Sequence, residues 1–483
     1  MGKKLSNILF ALCCVLVIGW YAFQKIQEHR RAKAWETDLQ ERIQTDFCRT
    51  RAEVTDYVKQ YIPDVTDEQI DAWTASGKLE NKTFDGEVRY FRNAAPNLFR
   101  IEEACHAIKA AAEKKAAEQT LSGMSIDGHI ADDAENNPLV VEGVKANLLA
   151  GKANPYLARP QRYHVVYTIT VDADAVPAGE TVRCWLPYPR TDVARQTDVT
   201  FIRASEGNPV FAPEGHPHST LYLEKKAVAG QPTVFSEEFE YTAWGEWHPI
   251  DPASVKPYQT DGAGYRYWTA EREEHIRFSD RLNRLADSLT TGIDNPFLQA
   301  RAIFTWVNDN IPWASALEYS TVENIPEYVL DNGHGDCGMV TLLFVTLCRI
   351  KGIPARWQSG FMMHPRGWNL HDWGEVYFEG FGWIPVDQSF GIPPYAIRRA
   401  PKAGVWAEET DYKVDMPEME YFYFGGIDCF RMYVNSDYGQ PLYPRKQYPR
   451  SETVDFQRGE VEWKGGNLYF PKWDYHMDIQ YLD

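Results

Sequence analysis

The chain has no C-x-x-C pair among its eight cysteines, at 13, 14, 48, 105, 184, 337, 348 and 429. That absence excludes the usual zinc ribbon and the thioredoxin-like dithiol. It also has no dense Lys/Arg run beyond the N-terminus, and its formal net charge is −18. Nucleic acid is therefore not an expected partner, because phosphate recognition needs a basic face; the acidity reads as a solubility feature. With 24% charged and 44% apolar residues the composition is globular rather than disordered.

A single long apolar run, the 19 residues from Leu5 to Phe23, follows Lys3-Lys4. It is long enough to span a bilayer. No small-x-small site closes it, as a cleaved signal would require, and Leu12 and Cys13 stand before the two neighbouring cysteines where a lipobox wants a small residue. The expectation is an uncleaved membrane anchor with the bulk of the chain extracytoplasmic, in the periplasm or at the cell surface. Lys25, Arg30, Arg31 and Lys33 compete with Lys3 and Lys4 for the cytoplasmic side, so the charges leave the orientation open.

A chain of 483 residues exceeds one hydrophobic core, and its periodicities predict a multidomain α+β protein. Residues 1–24 are the anchor or signal segment, and 25–155 a helical domain with a linker. A β-sandwich is expected over 156–256, a mixed core over 257–398 and an aromatic-rich, β-rich C-terminal extension over 399–483. The helical reading rests on Trp35, Leu39, Ile43, Phe47 and Val54 near helical spacing up to about Ile62. A capping box follows at Thr66-Asp67-Glu68-Gln69, and a third helix is expected from about Pro96 to Gln119. Cys48 and Cys105 could close a loop of 58 residues, worth roughly 4 kcal/mol on the chain-entropy model, or stand as two free thiols. The runs 163–171, 181–186 and 234–241 are β-branched and aromatic between turn formers.

Chemistry concentrates at Gly333-His334-Gly335-Asp336-Cys337-Gly338, followed at once by an apolar run through Cys348. Asp336 can cap a helix whose first residue is Cys337, which sets a thiol at the positive end of the dipole, where thiol pKa values fall. His371 can move the proton and Asp387 can orient the ring. Their spacing of 16 is even, so two antiparallel strands can point both side chains one way. A tight turn at Gly380-Phe381-Gly382, however, would set Glu375 opposite Asp387, four residues from His371, and make Glu375 a rival orienter. His334 and His364 are further imidazoles, the first read as capping or solvated, the second as edging the cleft. Cys348 is expected to be an inert core thiol and Arg356 a structural ion-pair partner. The Cys337 amide is a natural oxyanion donor; Trp313 is a candidate for the second and Trp373 for the wall of the imidazole.

Four blocks, Gly335-Asp336-Cys337, Gly352-Ile353-Pro354-Ala355-Arg356, His371-x-Trp373-x-Glu375-Val376 and Gly382-Trp383-x-Pro385-x-Asp387, together resemble the transglutaminase-like superfamily. The resemblance covers about 295 to 395. It implies a papain-like fold with Cys337 as nucleophile, His371 as general acid/base and Asp387 as orienter. It further implies action on an amide of a peptide or protein substrate through a thioester, ending in hydrolysis or acyl transfer. Neither the zinc-binding cysteine pairs of one branch nor an Asp/Asn-rich calcium loop stands out, so no cofactor is expected. The other reading is a catalytically inactive binding or scaffold protein of the same fold at the cell envelope.

Overall fold

The computed structural model describes residues 20–21, 25, 38–119, 143–144, 146–148, 156–364, 367–390 and 421–482. Apart from Trp20 and Tyr21, the expected membrane segment lies outside the described residues, as do Cys13 and Cys14 and most of the expected linker. Among the described residues no helix is long and apolar enough to cross a membrane.

The N-terminal region opens with α1 (38–46), α2 (Arg51–Lys59) and α3 (Asp67–Ala75). Both α2 and α3 start at capping boxes, Thr50 with Glu53 and Thr66 with Gln69, in which hydroxyl and side-chain acceptor satisfy the first free amides reciprocally. The Thr50 box is why the expected helix from 33 to 62 is divided. Next comes a hairpin, β1 (Asn81–Phe84) and β2 (Glu87–Tyr90), which the sequence reading missed. Its signal was Asp85-Gly86, both at positive φ (50° and 86°), the residue pair a two-residue hairpin turn favours. The third expected helix is two, α4 (Ala94–Ile101) and α5 (Glu103–Gln119), because Glu102 adopts extended backbone. Cys48 and Cys105 are free thiols, one exposed and one buried.

This region grips the core through several side chains, most densely at residues 315–318. Asn97 and Ser315 exchange two hydrogen bonds of 2.9 Å, Asp46 Oδ2 accepts from the Glu318 amide at 2.9 Å, and Arg42 donates to Glu318 Oε2 at 2.7 Å. The gripped segment leads straight into Tyr319, which reaches the site described below.

Two five-stranded sheets follow. In one, β3 (Tyr156–Val171), β5 (Gln196–Ala204) and β8 (Thr233–Trp247) pair with two later strands, β12 (Gly426–Ile427) and β16 (Trp473–Leu482). In the other, β4 (Thr181–Pro187), β6 (Val210–Phe211) and β7 (Thr220–Lys226) pair with β14 (Glu460–Trp463) and β15 (Gly466–Leu468). Tyr167, Ile169, Cys184, Trp185, Leu221, Phe235 and Phe239 from both sheets belong to one buried cluster.

The core packs α6 (Ala263–Thr269), α7 (Asp280–Thr290), α8 (Pro296–Asn310), α9 (Ile325–Asn332) and α10 (Cys337–Ile350) with a four-stranded sheet. That sheet has the order β11 (Gly382–Val386), β10 (Gly367–Phe378), β9 (Ala355–His364), β13 (Arg431–Asn435). Residues 338–349 of α10 are buried on every face, as a mean composition without a polar stripe requires. The C-terminal residues are thus not a separate layer: their strands complete all three sheets. Each short strand satisfies its backbone groups on an edge that would otherwise be open.

Candidate active site

Asp336 caps α10: its carboxylate accepts from the Met339 amide at 3.1 Å and its carbonyl from the Val340 amide at 3.0 Å. Of the amides at this helix start the cap satisfies that of Met339, and those of Cys337 and Gly338 stand at the positive end of the dipole. Gly338 is required there. A Cβ at this position would lie 2.2 Å from the Tyr319 hydroxyl and 2.7 Å from Asp372 Oδ2. Gly338→Ala is expected to cost about 1–3 kcal/mol through overpacking, read as a lowered denaturation midpoint.

The imidazole stands on β10. The observed register pairs Phe378 with Gly382 and Gly374 with Val386, so Asp387 continues it opposite Trp373, two residues from His371 rather than the expected four. The loop is 379–381, with Gly380 and Gly382 at φ 95° and 87°. A diagonal pair is within reach of long side chains on one sheet face, and His371 Nε2 meets Asp387 Oδ2 at 2.7 Å. Glu375 is no rival: it accepts from Arg356 Nε at 2.6 Å and Gln358 Nε2 at 3.0 Å, which confirms Arg356 as a structural partner.

Behind the pair lies an arginine the sequence reading missed. Arg431, wholly buried on β13, donates from Nη1 to Asp387 Oδ2 at 2.7 Å and from Nη2 to Asp428 Oδ2 at 3.0 Å. Ser389 N donates to the other Asp387 oxygen at 3.0 Å. A lone arginine in the apolar run Cys429-Phe430-Arg431-Met432-Tyr433-Val434 was the available signal, since a buried charge needs a partner. Trp373, fully buried, stacks on the His371 ring at 5.8 Å and 25°, and Phe390 meets it edge-on at 4.7 Å.

The thiol is engaged elsewhere. Cys337 Sγ donates to Asp372 Oδ2 at 3.6 Å, and among the described residues no hydrogen bond joins it to His371. Strand alternation explains why. A Cβ on Gly374 would touch Thr341 and Val345 of α10, so Asp372 shares the side facing that helix while His371 and Trp373 alternate to the other. Tyr319 OH lies 2.7 Å from Asp336 Oδ1 and 3.3 Å from Asp372 Oδ2, and Gln457 Nε2 donates to Asp372 Oδ1 and, at 2.8 Å, to the His371 carbonyl.

Electrostatics correct the expectation of a depressed thiol pKa. Burial, with Asp372 and Asp336 beside it, pushes the Cys337 thiol well above its ordinary value. Burial likewise holds the His371 imidazole below its usual value, against the pull of Asp387. Burial alone would raise Asp387, but His371 and Arg431 overcome it and hold the carboxylate low. The resting site thus pairs a protonated thiol with a neutral imidazole and an ionised Asp387. With Nε2 turned to Asp387, Nδ1 carries the basic lone pair.

The remaining candidates have other surroundings. Trp313 bridges Gly335 in a parallel pairing and carries Arg100 over its ring at 5.0 Å, which sets it beside the loop before Cys337. His334 is buried rather than solvated, its Nδ1 3.0 Å from the Asn332 carbonyl. His364 ends β9 in the interior, between Phe390 and Phe430, instead of edging an open cleft. Cys348 is fully buried and its thiol is pushed well up by that burial, as an inert core thiol should be. A cavity of about 300 Å³ lined by Tyr258, Tyr265, Trp268, Tyr377 and Trp383 lies at the turn end of the β10–β11 hairpin and includes none of the site residues.

Residues 283–388, which contain Cys337, His371 and Asp387, match the transglutaminase-like superfamily. An uncharacterised Bacillus subtilis protein, YebA, is 25% identical over 155 residues, covering 25% of this chain and 20% of that protein. A protein-glutamine gamma-glutamyltransferase of Pseudomonas aeruginosa is 24% identical over 149 residues, covering 28% of this chain and 22% of that protein. The chain therefore spans about a fifth of the length of these curated relatives. The crystal structure of a candidate cysteine protease from Cytophaga hutchinsonii aligns with 68% of this chain and 93% of its own, at 14% identity and a TM-score of 0.43. The matched segment coincides with the helix tip and strand hairpin that carry the thiol, imidazole and carboxylate, so residues 283–388 form a transglutaminase-like core.

Proposed function

We propose that this chain is a cysteine enzyme that cleaves an amide bond of a peptide or protein and hands the acyl group to water or to an amine. What supports the reading is the buried relay His371–Asp387–Arg431 together with a thiol at a helix start, in the matched segment that also holds His371 and Asp387. At rest thiol and imidazole face opposite sides of β10, so the sulfur must move from Asp372 to the imidazole side before reaction. Cys337 Sγ leaves Asp372 and attacks the carbonyl carbon as its proton passes to His371 Nδ1. The oxyanion forms next to the Cys337 and Gly338 amides. As the C–N bond breaks, the imidazolium returns that proton to the leaving amine, and a thioester remains. Water or a second amine then attacks the thioester as His371 takes its proton, the C–S bond breaks, and the departing Cys337 sulfur takes that proton back as the free thiol. Since thiol and imidazole are both neutral at rest, proton transfer accompanies attack instead of preceding it.

The test is mass-spectrometric trapping of an acyl group on Cys337 during incubation with glutamine-containing peptides, with Cys337→Ala as control. Incorporation of a labelled primary amine marks transfer, and release of free acid alone marks hydrolysis. Absence of any adduct across a broad peptide library, with peptide binding retained in Cys337→Ala, would favour the inactive scaffold instead, the reading that the high thiol pKa supports. The apolar run from Leu5 to Phe23 supports a membrane-anchored, extracytoplasmic enzyme; recovery of the full chain in the alkaline-washed membrane fraction checks it.

A further inference from the structure

The side chain that meets the reactive sulfur is an acid that no triad requires. Asp372 is 2% exposed, and among the described residues no cation pairs with it. It is nonetheless firmly held. Gln457 donates to Oδ1 while fixing the neighbouring His371 carbonyl, the Tyr319 hydroxyl sits 3.3 Å from Oδ2, and Gly338 leaves the space both occupy. Cys337 Sγ, 3.6 Å from Oδ2, completes the set. The other titratable groups acting on this cluster are Asp336 from the helix cap and Asp455 from the loop before β14, with Arg458 acting on both, and Asp387, which acts on the thiol. Three elements far apart in sequence thus converge on one carboxyl that holds the Cys337 thiol.

We propose that Asp372 is a positioning residue that parks the Cys337 thiol in its protonated form on the helix-facing side of β10, so that the sulfur becomes reactive only on leaving it. Two acids sharing one small buried site lose their protons singly, because the second ionisation must be made beside the first charge. A carboxyl here therefore opposes the thiolate. An amide in its place accepts the same thiol hydrogen bond, carries no charge and can donate to the sulfur. The inference rests on Cys337 being the nucleophile, but its readout is thiol chemistry rather than turnover.

The experiment is iodoacetamide alkylation of the full chain between pH 6 and 10, with modification of Cys337 resolved from that of the exposed Cys48 by peptide mass spectrometry. Asp372→Asn is expected to lower the midpoint of the Cys337 profile by about one unit or more, seen as roughly tenfold faster alkylation at pH 8. Asp372→Glu, which keeps the ionisable carboxyl, should stay within about twofold of the parent at that pH, taking one pKa unit as tenfold. If Asp372→Asn fails to fold, Gln457→Leu frees the carboxyl from its clamp and should raise the rate in the same direction. Unchanged or slower alkylation in the folded variant overturns the proposal and leaves the amide-cleaving reading standing. Faster alkylation without any acyl adduct does the reverse.

Discussion

Arg431→Met is expected to destabilise the core by about 3–5 kcal/mol, the cost of stranding buried charge when one partner is removed. Arg431, Asp387 and Asp428 are each 2% exposed or less, and the two carboxylates meet on the one guanidinium. Both acids are held below the ordinary carboxylate range, Asp428 chiefly because Arg431 outweighs its burial. They are therefore ionised in the fold and lose their counter-charge in the variant. Arg431→Lys should fall between parent and methionine variant. One ammonium cannot reproduce Nη1 on Asp387 together with Nε and Nη2 on Asp428, whose distances are 2.7, 3.2 and 3.0 Å. Adding Asp428→Asn to Arg431→Met should recover part of the loss, because one of the stranded charges is gone. The check is the urea midpoint of the core transition. A methionine variant as stable as the parent would mean that the three groups do not form the charged network that orients His371.

Against that network, the reach of sequence reasoning can be drawn residue by residue. Cys337 and its cap Asp336 were legible because helix starts are local: a capping residue, a small first turn and an apolar run stand next to one another. His371 and Asp387 were legible by parity and motif, yet their offset was misjudged by two residues. Hairpin register depends on which of Gly380 and Gly382 open the turn, and both take positive φ. Arg431 and Asp428 were illegible as site residues. They arrive on, and three residues before, a strand that pairs with β9 across some 70 positions of chain, and nothing local announces a partner so distant. The same holds for the thiol's acidity. A helix start argues for a thiolate, but the carboxyls that reverse the argument come from β10 and the cap together. Strands in the last 60 residues were recognisable by alternation, whereas their distribution over three sheets was not, because an open edge accepts any strand of suitable length.

Stability is expected to peak near pH 6 to 6.5 and to fall on the alkaline side. Two sets of buried groups pull in opposite directions. Burial holds His218, His275, His334, His364 and His371 below the ordinary imidazole value, His275 and His364 to about 4. Between roughly pH 4 and 6.5 the unfolded chain binds protons that these rings refuse, so stability rises with pH through that window and is complete above it. The carboxyls behave in the contrary sense. Burial raises Asp336 to about 6, Glu80 to about 7 and Glu452 to about 8, and pushes Glu237 and Asp372 well up. Glu237 is 1% exposed, and among the described residues neither of its oxygens has a hydrogen-bond partner. For these groups the folded state keeps protons the unfolded chain has lost. The stability they contribute is whole below the unfolded value near 4 and is gone once pH has risen through the folded value. Asp387 and Asp428 are depressed instead, so their contribution is constant above about pH 4. Below 6.5 the two sets offset each other; above it only the carboxyls remain, each removing up to about 1.4 kcal/mol per pH unit until its folded value is reached. Calorimetric melting between pH 5 and 9 should therefore show a maximum near pH 6 and a loss of several kcal/mol by pH 8.5. Glu452→Gln should flatten the alkaline arm between pH 6.5 and 8, since it removes the proton that must be surrendered there. A melting temperature that climbs from pH 6.5 to 8.5 would show that these acids are ionised in the fold, and with them the carboxyl that faces Cys337.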